Sequence, residues 1–157
     1  MESQGTPKPS FDIAAMSMAT KGMLIVGILL LIDSFLPWQR VCFDFPGQSA
    51  CASASAWGGS GSFFGVLMGI LLIVLLIFEV SQLAKMNVQL PIAPSKASAY
   101  LGFAVVAFGV IKFLLVITNE PGFGAWIGII LLAALGYFSF LYLKAEEAPA
   151  APPQTEL

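Results

Sequence analysis

The chain has 157 residues, of which 58% are hydrophobic and 10% charged, with a formal net charge of −2 and a mean hydropathy of +0.89. A soluble domain carries about 25% charged residues, and so short a chain cannot hide this many apolar side chains in one aqueous core. Lipid is therefore the expected solvent for much of the surface, and the lack of any basic stretch argues against nucleic-acid binding.

The N-terminal cytoplasmic segment, residues 1–20, opens with the polar stretch "MESQGTPKPS", which reads as disordered. It continues with "FDIAAMSMAT", where Phe11, Ala14 and Met18 share a helical face, as in a short interfacial helix. Four apolar segments then make up a transmembrane domain over residues 21–144. Helices are expected at about 21–38, 62–83, 99–118 and 124–143, each near the ~20 residues needed to cross ~30 Å of hydrocarbon. No segment alternates with a period of two, so a closed barrel is excluded. The small-residue stretch "ASASA" lies too far past the first apolar run for signal-peptide cleavage, so that run is expected to be retained. The tail, residues 145–157, is rich in Ala, Pro and Glu and reads as disordered.

Basic residues orient the segments. Lys8 and Lys21 precede the first, Lys85 and Lys96 lie between the second and third, and Lys144 follows the fourth, while Arg40 falls on the other side. The positive-inside rule then puts both termini in the cytoplasm of a multi-pass plasma-membrane protein. Trp38, Trp57 and Trp126 fall at the outer interface as anchors, and Tyr137 and Tyr142 fall towards the inner one. The short connection "NEPGFG" makes the third and fourth helices antiparallel neighbours.

The outer loop "WQRVCFDFPGQSACASASAWGG" holds both cysteines, Cys42 and Cys51. Their spacing is neither a redox C-x-x-C pair nor a zinc pattern. On the oxidising side a disulfide is expected, with "FPGQ" as the turn, restraining the loop by roughly 2–3 kcal/mol. The alternatives are two free thiols or a lipid-modified cysteine, although "QSAC" lacks the apolar residue that usually opens a lipoprotein signal. A tryptophan shortly before a C-x8-C pair, here Trp38, Cys42 and Cys51, is similar to the claudin first-loop pattern. This loop is about half the length of the claudin one and lacks the Gly-Leu before the tryptophan, so no claudin activity is implied. The pattern "FLPW…C…SAWGGSG" followed by an apolar helix resembles small bacterial four-helix integral membrane proteins of unassigned function.

Glycines recur at helical spacing: Gly61, Gly65 and Gly69 in the second helix, Gly124 and Gly128 in the fourth. Such faces let backbones approach closely in lipid, either between helices of one chain or across a homodimer. Three ionisable residues, Asp33, Glu79 and Lys112, lie inside apolar runs, and each costs about 2.5–3.5 kcal/mol at mid-membrane on insertion scales. At 1.5 Å per residue Asp33 lies ~7 Å inward of Trp38 and Lys112 ~10 Å inward of Asn119. The matched depths predict an Asp33–Lys112 ion pair, serving either as a structural clasp or as part of a polar path. Glu79 lies nearer the opposite face, where it snorkels, pairs with Lys85, or meets a partner's basic residue.

The chain has no histidine, hence neither the commonest general base nor the commonest metal ligand. With no activated nucleophile or acid–base pair in view, no enzymatic activity, metal or cofactor is expected. The fold class expected is an all-α membrane protein: a four-helix transmembrane bundle, both termini cytoplasmic, with a disulfide-stapled outer loop. Two functions fit. One is an accessory or scaffold subunit of a membrane complex, in contact with the lipid bilayer and with other subunits or itself. The other is a small oligomeric transporter or channel using Asp33, Glu79 and Lys112.

Overall fold

A computed structural model describes residues 16–84 and 90–147. The expected interfacial helix around Phe11 and Ala14, the basic residues Lys8 and Lys85, and the tail from residue 148 onward lie outside the described residues. The elements in order are α1 (Met18–Asp33), β1 (Gln39–Phe45), β2 (Gln48–Ala54), α2 (Ser62–Leu83), α3 (Pro94–Ile117) and α4 (Phe123–Glu147).

Local signals set the helix ends. Ser17 caps α1 by accepting a hydrogen bond from the Thr20 N–H at 3.2 Å, which satisfies one of the orphan donors of the first turn. The sequence pattern carries this helix to residue 38, but it stops at Asp33. There the Phe35 and Leu36 N–H groups bond back three residues, to Ile32 and Asp33 carbonyls at 3.1 and 2.9 Å. This tightens the last turn, and Pro37 has no N–H with which to resume it. The 16 residues of α1 span about 24 Å. The other three helices, α2, α3 and α4, are long and apolar enough to cross a membrane. Pro94 stands in the first turn of α3, where its fixed φ suits a helix start. That helix therefore begins at residue 94 rather than 99. The fourth helix runs on to Glu147, past the expected start of the tail.

The chain alternates direction from helix to helix. Helix α3 packs against both α2 and α4, and α1 lies against α4 and, more lightly, α2. Met23, Leu30, Leu72, Val105, Leu132 and Leu135 are fully buried between them. The outward faces are apolar as well: Ile25, Ile32, Ile77 and Ile130 are all more than half exposed. Helices that are apolar on every side suit a non-aqueous surround.

The purely α expectation needs one correction. Residues 39–54 form a two-stranded antiparallel sheet, with register from Gln39 opposite Ala54 to Phe45 opposite Gln48. Pro46 and Gly47 make the turn. Pro46 cannot take a positive φ, so only Gly47 does, at 94°, as a type II turn requires of its third residue. Cys42 faces Cys51 across the strands, and the two are joined by a disulfide with Cα atoms 4.0 Å apart. Phe43 and Phe45 stand exposed near the tip.

Candidate functional site

Polar side chains gather at the two ends of the helical body. At one end they form a collar that holds the hairpin. The Trp38 N–H donates to Ala54 O at 2.9 Å, and the Gly122 N–H donates to Trp38 O at 2.8 Å. The Gly124 N–H reaches Pro37 O at 3.0 Å, and the Arg40 N–H reaches Glu120 O at 3.0 Å. The hairpin base is thus bonded to the turn between α3 and α4. Gln39 is the hub of this collar. Its Nε2 donates to Ser60 Oγ and to Asn119 O, both at 3.2 Å, and its Oε1 accepts from the Ser60 N–H at 2.9 Å.

Both charges expected to pair across the helices are used in this collar instead. Lys112 is fully buried, and its Nζ donates to Gly58 O and Ser60 O, each at 2.6 Å. The Asp33 carboxylate accepts from Trp38 Nε1 at 3.1 Å, through Oδ2. The same N–H is shared with the Asp33 carbonyl at 3.1 Å, and Oδ1 has no hydrogen-bond partner. The expected Asp33–Lys112 ion pair is therefore not formed. Both groups do lie at the same end, as their depths implied. However, α1 and α3 sit diagonally, each beside α2 and α4, and loop carbonyls lie within reach of the ammonium.

The tryptophans also differ from the anchor role expected of them. Trp38 is fully buried in the core rather than exposed at an interface. Trp57 is half-buried, stacked on Phe35 at 5.7 Å between centroids, with its Nε1 donating to Ser34 Oγ at 3.0 Å. Trp126 alone of the three stays half exposed, edge-on to Phe113. The glycine faces explain where the rings go. A Cβ on Gly65 would strike the Ala56 carbonyl oxygen, and one on Gly69 would strike the Trp57 ring. A Cβ on Gly128 would meet the Trp38 ring and stand 2.8 Å from Asp33 Oδ2, and one on Gly124 would stand 2.9 Å from Pro37 O. These glycines receive collar segments of the same chain. Gly61 is different: it precedes α2 with φ at 69°, a left-handed conformation that glycine adopts without steric cost.

The other end is built around Glu79, which is only 2% exposed. Its Oε2 accepts from the Tyr142 hydroxyl at 3.0 Å. Tyr142 in turn accepts from Thr20 at 2.7 Å, and Thr20 lies 2.8 Å from Ser17 Oγ. With Tyr142 donating to the carboxylate, the hydroxyl hydrogens of this chain all point towards Glu79. Ser98 faces the same carboxylate. Each of the four helices thus supplies one polar group: Thr20, Glu79, Ser98 and Tyr142. Even so, Oε1 has no partner. Glu79 also lines a cavity of about 250 Å³, together with Thr20, Ser98, Tyr142, Gln82, Leu83, Pro94 and Ser95.

Comparison with protein-family models, with curated proteins and with solved structures finds no match to this chain. The site must be read from its own geometry. Sequence reasoning singled out Asp33, Glu79 and Lys112 but missed Gln39, Thr20, Ser98 and Tyr142. Tyr142 and Glu79 were both placed near one face, and that shared depth was the available signal for their contact.

Proposed function

We propose that this chain is a non-enzymatic, multi-pass plasma-membrane protein that serves as an accessory or scaffold subunit of a membrane protein complex. Its four helices form a transmembrane bundle with both termini in the cytoplasm, and the disulfide-bonded hairpin stands on the outer side. The observation that carries this reading is the use of the buried polar groups at the collar. Lys112 holds the Gly58 and Ser60 carbonyls just after the hairpin, Gln39 at the hairpin base bonds Ser60 and Asn119, and Trp38 just before it bonds Asp33 at the end of α1. Buried charge that is costly in lipid is here spent on fixing a small exposed platform tipped by Phe43 and Phe45. The outward apolar faces of α2, α3 and α4 support the membrane placement, as aqueous surfaces rarely expose such patches. The lack of histidine supports the non-enzymatic reading.

The transport reading has weaker support. It needs Asp33, Glu79 and Lys112 on one polar route. Leu30 on α1, Leu72 and Leu75 on α2, Val105 on α3 and Leu132 on α4 form a fully buried apolar layer between the two ends. An apolar layer of this kind opposes ion passage.

The experiment is purification of the full chain in mild detergent, with identification of the co-eluting membrane protein and the reciprocal purification from that partner. The reading expects a stoichiometric partner that is lost when Phe43 and Phe45 are both changed to Ser while the fold is retained. A chain that purifies alone from native membranes, and drives ion flux when reconstituted, would contradict it.

A further inference from the structure

We propose that the cavity beside Glu79 binds a primary ammonium group, carried either on a small organic amine or on a lipid headgroup. Glu79 is 2% exposed and its Oε1 is unpartnered. Either protonation state leaves one hydrogen bond unmade: an ionised Oε1 lacks a donor, and a protonated one lacks an acceptor. A buried polar group left in that condition is costly, and a buried charge without a counter-charge is more so. Among the described lining residues Glu79 alone carries charge, and that charge is negative.

The remaining wall fits an N–H donor. Thr20, Ser98 and Tyr142 supply hydroxyl oxygens and Gln82 an amide oxygen. An ammonium carries three donors in a compact head, which suits one carboxylate oxygen and two neutral acceptors. Size argues against a bare ion. The cavity of about 250 Å³ is several times the ~30 Å³ share of one water molecule, which leaves room for a carbon stem. Leu83 and Pro94 provide an apolar wall for that stem. The site lies at the helix ends that carry Thr20, Gln82 and Pro94, so a ligand at the level of lipid headgroups can reach it. The proposal does not depend on what the hairpin engages.

The test uses the full chain in non-ionic detergent, with thermal unfolding followed against ethanolamine, tetramethylammonium and sodium, all as chlorides. Ethanolamine is expected to raise the unfolding temperature saturably. Tetramethylammonium, which has the same charge but no N–H, and sodium are expected to have no comparable effect. Glu79→Gln is expected to weaken ethanolamine binding about 10- to 100-fold, the loss of one charge-assisted hydrogen bond. Ser98→Ala keeps the charge, removes one acceptor, and is expected to weaken binding about fivefold, which keeps the proposal testable if Glu79→Gln fails to fold. Nanodiscs of mixed phosphatidylethanolamine and phosphatidylglycerol separate the two sources. Selective retention of phosphatidylethanolamine by the wild type but not by Glu79→Gln, read by native mass spectrometry, assigns the lipid headgroup. Saturable ethanolamine binding without such retention assigns a free amine. The proposal is overturned if the wild type responds to neither probe, if tetramethylammonium or sodium stabilises it equally, or if both variants bind as the wild type does.

Discussion

The two ends of the helical body handle buried polarity in opposite ways. At the collar, Lys112 and Gln39 are engaged by several partners, from the segment that follows the hairpin and from the turn between α3 and α4. Trp38 closes over Asp33, and Gly124 and Gly128 leave room for the chain around it. At the Glu79 end the carboxylate is held through one oxygen only, and the residue lines a cavity. The first arrangement fixes a shape. The second leaves chemistry to be completed by something else. Polar residues in apolar helices therefore carry different meanings according to whether the fold itself satisfies them.

The largest expected effect is at Trp38. Trp38→Ala removes a fully buried indole and both bonds to Asp33, and is expected to cost about 3–5 kcal/mol in reversible unfolding in detergent. Tyr142→Phe at the other end removes one hydroxyl and its bonds to Glu79 and Thr20 and should cost less, about 2 kcal/mol. Equal costs would erase the contrast between the ends. Next comes Lys112→Met, which strands the Gly58 and Ser60 carbonyls. Two charge-assisted bonds lost imply about 3 kcal/mol, with faster amide exchange in residues 56–61 as the local signature.

The disulfide sharpens the comparison on a smaller scale. Changing Cys42 and Cys51 together to Ser is expected to release about 2–3 kcal/mol of loop restraint. The loss should be confined to the hairpin, with exchange accelerated in residues 39–54 and unchanged around Glu79. Uniform acceleration would show that the collar does not isolate the hairpin from the helices. The smallest effect is at Glu120, which takes φ at 53° in the turn between α3 and α4. Strain there is about 1 kcal/mol or more, and glycine returns part of it as unfolded-chain entropy. Glu120→Gly should therefore stabilise by about 0.5 kcal/mol, visible as a small rise in unfolding temperature.

Much of the fold was legible because its signals are long and repeated. The second helix was read at its observed bounds, since an apolar run set off by glycines leaves little choice. The disulfide followed from two cysteines flanking a Pro-Gly turn. The end of α1 was misread because Phe35, Leu36 and Trp38 continue the apolar pattern after the backbone has turned. The strands were missed because they are short, mostly exposed, and held by a disulfide and a collar rather than by a buried face. Depth along the helices correctly grouped Asp33 with Lys112 at one end and set Glu79 at the other. Depth does not report azimuth or the acceptors that a loop brings in, so it could not assign partners. A lone glutamine such as Gln39 carries no sequence sign that both ends of its amide are engaged.

The central claim is that the two collar charges act as separate anchors for the hairpin base and not as a pair or a path. A double-mutant cycle tests it directly, comparing the unfolding free energies of the wild type, Asp33→Asn, Lys112→Met and the double variant. The account predicts a small effect for Asp33→Asn, a loss of about 3 kcal/mol for Lys112→Met, and a coupling energy within about 0.5 kcal/mol of zero. A coupling of about 2 kcal/mol or more, with the double variant rescuing Lys112→Met, would show that the two charges are paired and contradict the account.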